Sequence, residues 1–432
     1  MTTFQIDSED LPTNDSANEH IQTIVARAVS RRGFLKMGGG AAAASFLAGP
    51  LSGCASLGNT SGALLGFRAV AASTADTVTV AEGYTATPFV PWGTPLFTSG
   101  AGATWKGDGS ESAADQARQV GDNHDGMHFF PIDGRSSSEG LLVMNHEYTT
   151  VVKGQYITLF GLPAAQANTA ERVNKAINAW GCSVIHIRKT SGQWAVVRDS
   201  VYNRRITAAT PMLLTGPAAG HALLQTTADP TGTEVLGTIN NCGNGFTPWG
   251  TYLTCEENFN NNFGTVTASP SGDTRTDAQK RYGITAGATG YAWETQHTRF
   301  DYKLEPNESN RFGWVVEIDP FDPLSKPKKR TALGRFKHEN AALVIAPNGQ
   351  VVVYMGCDER NEYLYKFVSA GTFDRRNPGS AANRELLSAG TLYVARLDAG
   401  STAGDRMGSG TWIPLVFGQN GLTDRLDRKS TR

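Results

Sequence analysis

The chain is cut into short lengths by its own turn formers. Forty-eight glycines and 19 prolines are spread through 432 residues, and both residue types weaken helix interiors and are the ones that tight turns demand. Between them lie short runs of β-type residues at Leu141–Met144, Ser183–Arg188, Trp194–Arg198, Leu236–Ile239, Tyr252–Cys255, Trp314–Ile318, Leu343–Ile345, Val351–Met355, Tyr363–Phe367 and Leu392–Leu397. Such runs have strand length, so the spacing predicts an all-β architecture of many short strands. One helix is expected from Ala170 to Trp180, where Thr169 can cap the first turn, Val173, Ile177 and Trp180 form an apolar stripe and Gly181 can end it. Residues Thr85 to Gly140 read as an irregular arm with few strands, and Asp273 to Lys280 is polar enough to read as an insertion loop.

Several strands end alike, in an acid just past the apolar run. Glu147 follows Asn145-His146, Glu256 and Glu257 follow Cys255, Glu339 follows His338, and Asp358-Glu359 follows Cys357. In a β-propeller the inner strands run along one axis, so acids at their ends converge on a central channel. Like charges packed together raise one another's pKa unless a cation intervenes, and convergence would therefore imply bound metal. The alternative, that each acid ends its strand in a solvated loop, stays open at this point.

Charge narrows the function classes. Lys+Arg 39 against Asp+Glu 40 gives a net charge of -1, which supplies no field for nucleic acid or an anionic membrane. Cys54, Cys182, Cys242, Cys255 and Cys357 are too few for a disulfide scaffold and odd in number. Cys182 and Cys255 sit where core residues are expected. Near the N-terminus, Ser30-Arg31-Arg32-Gly33-Phe34-Leu35-Lys36 precedes a Gly/Ala-rich apolar run to about Leu51, which is the twin-arginine signal pattern. It predicts export of a folded protein to the periplasm or cell exterior, with the twin-arginine translocase as partner. The apolar run is shorter than the ~20 residues a spanning helix needs, and no transmembrane segment is expected. Leu51-Ser52-Gly53-Cys54 resembles a lipobox, so either Cys54 is lipidated and anchors the chain, or ordinary cleavage falls before Thr77. Residues 1–75 are read as signal and linker, 76–422 as the folded domain, and 423–432 as a polar tail.

The most specific run is Gly237-Thr238-Ile239-Asn240-Asn241-Cys242-Gly243-Asn244-Gly245-Phe246-Thr247-Pro248-Trp249-Gly250-Thr251-Tyr252-Leu253-Thr254-Cys255-Glu256-Glu257-Asn258. It resembles the signature segment of the PhoX alkaline phosphatases. Matching the same family in the same order are Asn123 to Pro131, Asn145-His146-Glu147-Tyr148, Arg311 to Pro320, Lys337-His338-Glu339 and Asp358-Glu359-Arg360 through Ser369. The resemblance spans roughly residues 30 to 422. It implies a six-bladed β-propeller, to which the residues add the irregular N-terminal arm and the one inserted helix, and a monomer is expected when the domain is complete. It also implies a cluster of Fe3+ and Ca2+ with a bridging oxo group, and hydrolysis of phosphate monoesters.

By that comparison Cys242 matches the iron-bridging cysteine, Glu257 and Glu339 match metal ligands, Asp358 matches a calcium ligand, and Glu147 is a weaker match that could instead pin a strand end. The register between Glu256 and Glu257 stays open. A thiolate suits iron and carboxylates suit both calcium and ferric iron, so one Cys among several acids agrees with a mixed site. Arg360 is the candidate phosphate clamp, since a guanidinium can hold two phosphoryl oxygens at once, unless it only braces a neighbouring acid. His338 is expected to support a ligand, and Cys357 departs from the polar residue expected there. Family members continue past Leu422, so an incomplete and inactive domain is expected, unless this is a shorter member that closes with fewer blades. The rival readings are a non-catalytic propeller that binds calcium and a partner or surface polymer, and a calcium-only propeller hydrolase acting on phytate or lactones.

Overall fold

The structure, a computed structural model, describes residues 68–152, 155–156, 169–268, 272–402 and 407–422. Arg31, Arg32, Cys54 and the tail at 423–432 lie outside the described residues. The chain divides into two units, Met1–Thr87 and Pro88–Arg432. The described part of the first holds no helix or strand, and its Arg68–Glu82 ion pair is exposed.

In the second unit, three sheets follow one another along the sequence. The first comprises β1 (His124–Pro131), β2 (Glu139–His146), β5 (Gly181–Thr190), β6 (Gln193–Val196) and β7 (Arg204–Ile206), with the small β3 (Val151–Val152) and β4 (Gln155–Tyr156) hairpin between. The second runs in the order β10 (Asn241–Phe246), β11 (Tyr252–Glu256), β12 (Val315–Ile318), β13 (Lys328–Arg330), β8 (Pro211–Thr215), β9 (Glu234–Leu236). The third is β14 (Ala342–Ile345), β15 (Gln350–Gly356), β16 (Leu364–Thr372), β17 (Gly390–Ala399) and β18 (Gly408–Pro414), antiparallel throughout. The leading strands β1, β10 and β14 pack side by side, β10 in the middle.

The two-residue period of β11 explains how the sheets stack. Tyr252 and its neighbours Val316 and Ile318 on β12 join a core with Val143, Cys182 and Val184 of the first sheet. Leu253, Cys255 and Val315 point the other way, into a core with Val351, Val353, Met355 and Phe367 of the third. A strand buried on both faces must be apolar on both, which is why Tyr252–Cys255 reads as continuous rather than alternating. Cys182 and Cys255 are thus packing residues, each with no exposed surface (0%).

All ten predicted runs fall on strands, although the run at Leu236–Ile239 is displaced: the strand is Glu234–Leu236 and ends at Gly237, whose φ of 84° breaks it. Two readings are corrected. The supposed irregular arm contains α1 (Ala113–Gln116) and the eight-residue β1. β1 carries Gly126 and two histidines, which mask its strand character, and pairing with β2 overrides that propensity. Arm residues Val90, Leu96 and Val120 cover Leu142, Met144, Ile185 and Ile187 on the first sheet. The expected helix is present as α2 (Ala170–Ala179), capped by the Thr169 hydroxyl, which accepts from the Arg172 N–H. The polar insertion at 273–280 also holds a short helix, α3 (Asp277–Arg281), started by a reciprocal Thr276–Gln279 capping box that the loop reading overlooked.

Candidate metal centre

Each sheet delivers two donor residues to one edge by the same device. In an antiparallel pair, the start of the first strand and the end of the second lie together. Asp125 stands near the start of β1 and Glu147 just past β2; Cys242 near the start of β10 and Glu257 just past β11; Glu339 before β14 and Asp358 just past β15. The backbone bonds repeat: Glu147 N–H donates to Asn123 O at 2.9 Å, Glu257 N–H to Asn240 O at 2.9 Å, and Asp358 N–H to Lys337 O at 3.1 Å. In all three cases the acceptor lies two residues before the donor side chain on the leading strand.

A one-residue bulge recurs as well. His124 pairs with His146 and Met127 with Met144, three residues against two; Asn241 pairs with Glu256 and Asn244 with Thr254, again three against two. In the third sheet His338 bridges Cys357 and Ala342 pairs with Tyr354, four against three. A bulge re-aims the side chain it carries, and here the bulged stretches contain Asp125, Cys242 and Glu339. The bulges can meet because Gly126 and Gly243 follow two of the donors. A Cβ on Gly243 would stand 2.2 Å from the Glu339 carbonyl oxygen, and one on Gly126 would stand 2.9 Å from the Cys242 carbonyl oxygen.

The outcome is two donor triads sharing one sulfur. Asp125, Glu147 and Cys242 form one, and Cys242, Glu257 and Glu339 the other, with the ligand atoms of each within 4.8 Å of one another. Cys242 Sγ lies 3.2 Å from Asp125 Oδ2 and 3.6 Å from Glu339 Oε2. Asn145 on β2 ties the first sheet to this loop, its amide donating to the Cys242 carbonyl and, at 3.1 Å, to that of Gly243. The Tyr252 hydroxyl lies 2.8 Å from Gly126 O and 3.0 Å from Asn145 Oδ1, bracing both bulges.

Electrostatics show what the arrangement lacks. Burial, and after it the charges of Glu147, Glu257, Asp125 and Glu339, push the Cys242 thiol far up. Glu257, only 3% exposed, is pushed up to about 9, first by burial, then by its hydrogen bond to Asp358 and the nearby Glu339 and Glu147. Four carboxylates around a thiol, held this close, fit a cationic occupant that supplies what the protein does not. Oxygen donors with a single sulfur suit a hard cation beside a borderline one.

Of the residues expected here from sequence, Cys242, Glu257, Glu339 and Glu147 are brought together. Asp358 is exposed and reaches the group through its hydrogen bond to Glu257. Arg360 is exposed, and its backbone N–H donates to Glu359 Oε1 at 3.2 Å. Glu256 and Glu257 part company at the strand end: Glu257 lies with Cys242 and Glu339, whereas Glu256, at 0% exposure, pairs with Lys329 at 2.7 Å. His338 points away from the donors, its Nε2 3.0 Å from Gly334 O and its ring stacked on Phe336, and burial lowers its pKa to about 3. Cys357 is the strand partner of His338, the place held by His146 and Glu256 in the other sheets, and is half-buried against Phe336 and Tyr365. Asp125 was missed. It lies in a segment already matched to the family, but without a recognised strand before it there was no strand end to point to it.

The residue pattern is matched by whole-chain comparison. The family model for the alkaline phosphatase PhoX matches residues 65–431. The chain belongs to the PhoX alkaline phosphatase family. Among solved structures it is similar to Pseudomonas fluorescens PhoX in complex with vanadate, a transition state analogue, at 47% identity and a TM-score of 0.75. That match covers 83% of this chain and 60% of the other, so the chain spans about three fifths of its length. No curated protein matches. Among the described residues, no helix is long and apolar enough to cross a membrane.

Proposed function

We propose that this chain carries the metal-binding heart of a secreted PhoX phosphatase that hydrolyses phosphate monoesters with iron and calcium. The observation that carries the reading is the shared Cys242 between two acid triads drawn from three sheets. Three sheets whose leading strands pack together support a six-bladed propeller as the parent fold. The vanadate complex of the similar PhoX structure supports a phosphoryl-transfer site.

Cys242, Glu257, Glu339, Glu147 and Asp125 would hold the cations, with Asp358 on the calcium side. Bound iron and calcium would supply positive charge to phosphoryl oxygens and lower the pKa of water. The protein's own part is to hold three donors on bulges and two just past strand ends, to keep Glu257 protonated until a cation displaces the proton, and to offer Arg360 from an exposed loop to two phosphoryl oxygens. The twin-arginine pattern at Arg31-Arg32 fits this reading, since a metal cluster is best assembled before export.

Elemental analysis with p-nitrophenyl phosphate turnover tests the proposal. Iron and calcium with turnover are expected of the domain at the full length of its relatives, where Cys242→Ala should lose iron and turnover while retaining part of the calcium. Cys255→Ala should act only on packing, by about 1–3 kcal/mol. Calcium alone with no phosphatase activity would instead identify a calcium-binding module.

A further inference from the structure

Beneath the donors lies a second layer. The residues immediately before the three members of the second triad, Asn241, Glu256 and His338, are all at 0% exposure. Glu256 joins them: it pairs across the sheet with Asn241, and its carbonyl accepts the His338 N–H at 3.1 Å. A displacement of Glu256 would therefore move the backbone that carries Cys242, Glu257 and Glu339 together.

Glu256 is itself fixed at every polar atom. Its N–H donates to Trp314 O at 3.2 Å, and its Oε2 accepts from the Gly313 and Trp314 N–H groups at 3.0 and 3.1 Å. Its Oε1 accepts from Lys329 Nζ at 2.7 Å. Lys329, on β13, also donates to Arg311 O at 2.9 Å and lies 3.8 Å above the Phe312 ring. A buried ion pair is a weak source of stability, because desolvating both charges offsets their attraction, and its retention is better explained by the geometry it specifies. Neither residue touches the donor atoms or solvent, and the proposed mechanism uses neither.

We propose that Lys329 is a positioning residue of the metal centre: through Glu256 it sets the spacing of the Cys242, Glu257 and Glu339 donors. The inference rests on the metal-binding reading given above. Residues that orient metal ligands from behind change affinity about 10–100-fold when altered. The adjacent pair on the same strand, Arg330 Nε to Glu317 Oε2 at 2.6 Å, is buried too but joins no donor segment. It provides a control matched for burial and charge.

The test is Co2+ titration of the chelator-treated full chain, read by the near-ultraviolet charge-transfer absorption that a cobalt–thiolate bond produces. Two variants are compared with wild type: Glu256→Gln with Lys329→Met, which removes both charges, and the milder Glu256→Gln alone, which keeps an acceptor for Gly313 and Trp314. Either variant, if it gives a cooperative melt, should bind Co2+ at least tenfold more weakly. The control, Glu317→Gln with Arg330→Met, should lower the melting midpoint while staying within twofold in Co2+ affinity. A folded test variant that binds within twofold of wild type overturns the proposal, as does a control that weakens binding as much as the test pair. Wild type that shows no thiolate absorption with Co2+ refutes the metal reading itself, a separate result.

Discussion

Glu257 ties the stability of the metal-free protein to pH in a way that can be worked through. Folded, it holds its proton up to about 9; unfolded, it returns to the ordinary value of 4.5. Between those limits the folded chain binds one more proton than the unfolded chain. The stability this contributes is complete below 4.5 and is lost as pH rises toward and through 9. The slope is one proton's worth, about 1.4 kcal/mol per pH unit. Other groups titrate nearby: His124, His128, His146, His297 and His338, all lowered by burial, act with the opposite sign around and below the ordinary histidine value of 6.5, while Asp122, raised to about 6 by burial, acts with the same sign as Glu257. Lys175 and Lys329, lowered to about 8 by burial, also act with the opposite sign, from about that pH upward. Because these titrations overlap near neutrality, the Glu257 contribution is read as a difference: from about pH 6.5 to 7.5 chelator-treated wild type should lose about 1.4 kcal/mol more than Glu257→Gln, read by urea unfolding. Glu257→Gln lacks this contribution, because the amide does not titrate. Saturating Ca2+ should remove the same contribution from wild type, by displacing the proton. Equal slopes in metal-free wild type and Glu257→Gln would show that the carboxylates do not crowd one another as the geometry requires.

Three further outcomes are expected. Gly243→Ala places a Cβ 2.2 Å from the Glu339 carbonyl oxygen, so it should force the bulges apart, cost about 1–3 kcal/mol in thermal or urea unfolding and reduce bound iron. In the domain at the full length of its relatives, Arg360→Lys keeps the charge but loses the two-pronged geometry, and should lower kcat/KM for p-nitrophenyl phosphate about tenfold without changing iron content; an unchanged kcat/KM would leave Arg360 as a brace for its neighbours. Replacing Arg31 and Arg32 together by Lys should leave the precursor in the cytoplasm, checked by fractionation, and normal export would remove the twin-arginine reading.

The strands were legible because their signal is local: β-branched and aromatic runs bounded by glycine and proline, as at Val351–Met355, read the same in isolation as in a sheet. The acids at 147, 257, 339 and 358 were legible for a related reason, since each follows or precedes such a run and a strand end is visible in one dimension. Cys242 stood out through its polar, glycine-rich surroundings and the family signature around it. What remained hidden depends on pairing. β1 carries no strand signal of its own and exists because β2 offers it a ladder, so Asp125 had no strand end to mark it. The threefold repeat of bulge, donor and backbone bond has no sequence repeat behind it, because it is written in registers between strands and filled by unlike residues: His124 with His146, Asn241 with Glu256, His338 with Cys357. The choice between Glu256 and Glu257 was likewise a tertiary decision. Two adjacent glutamates are chemically the same in sequence, and only Lys329, 73 residues away on another strand, draws one into the core and leaves the other to the donors.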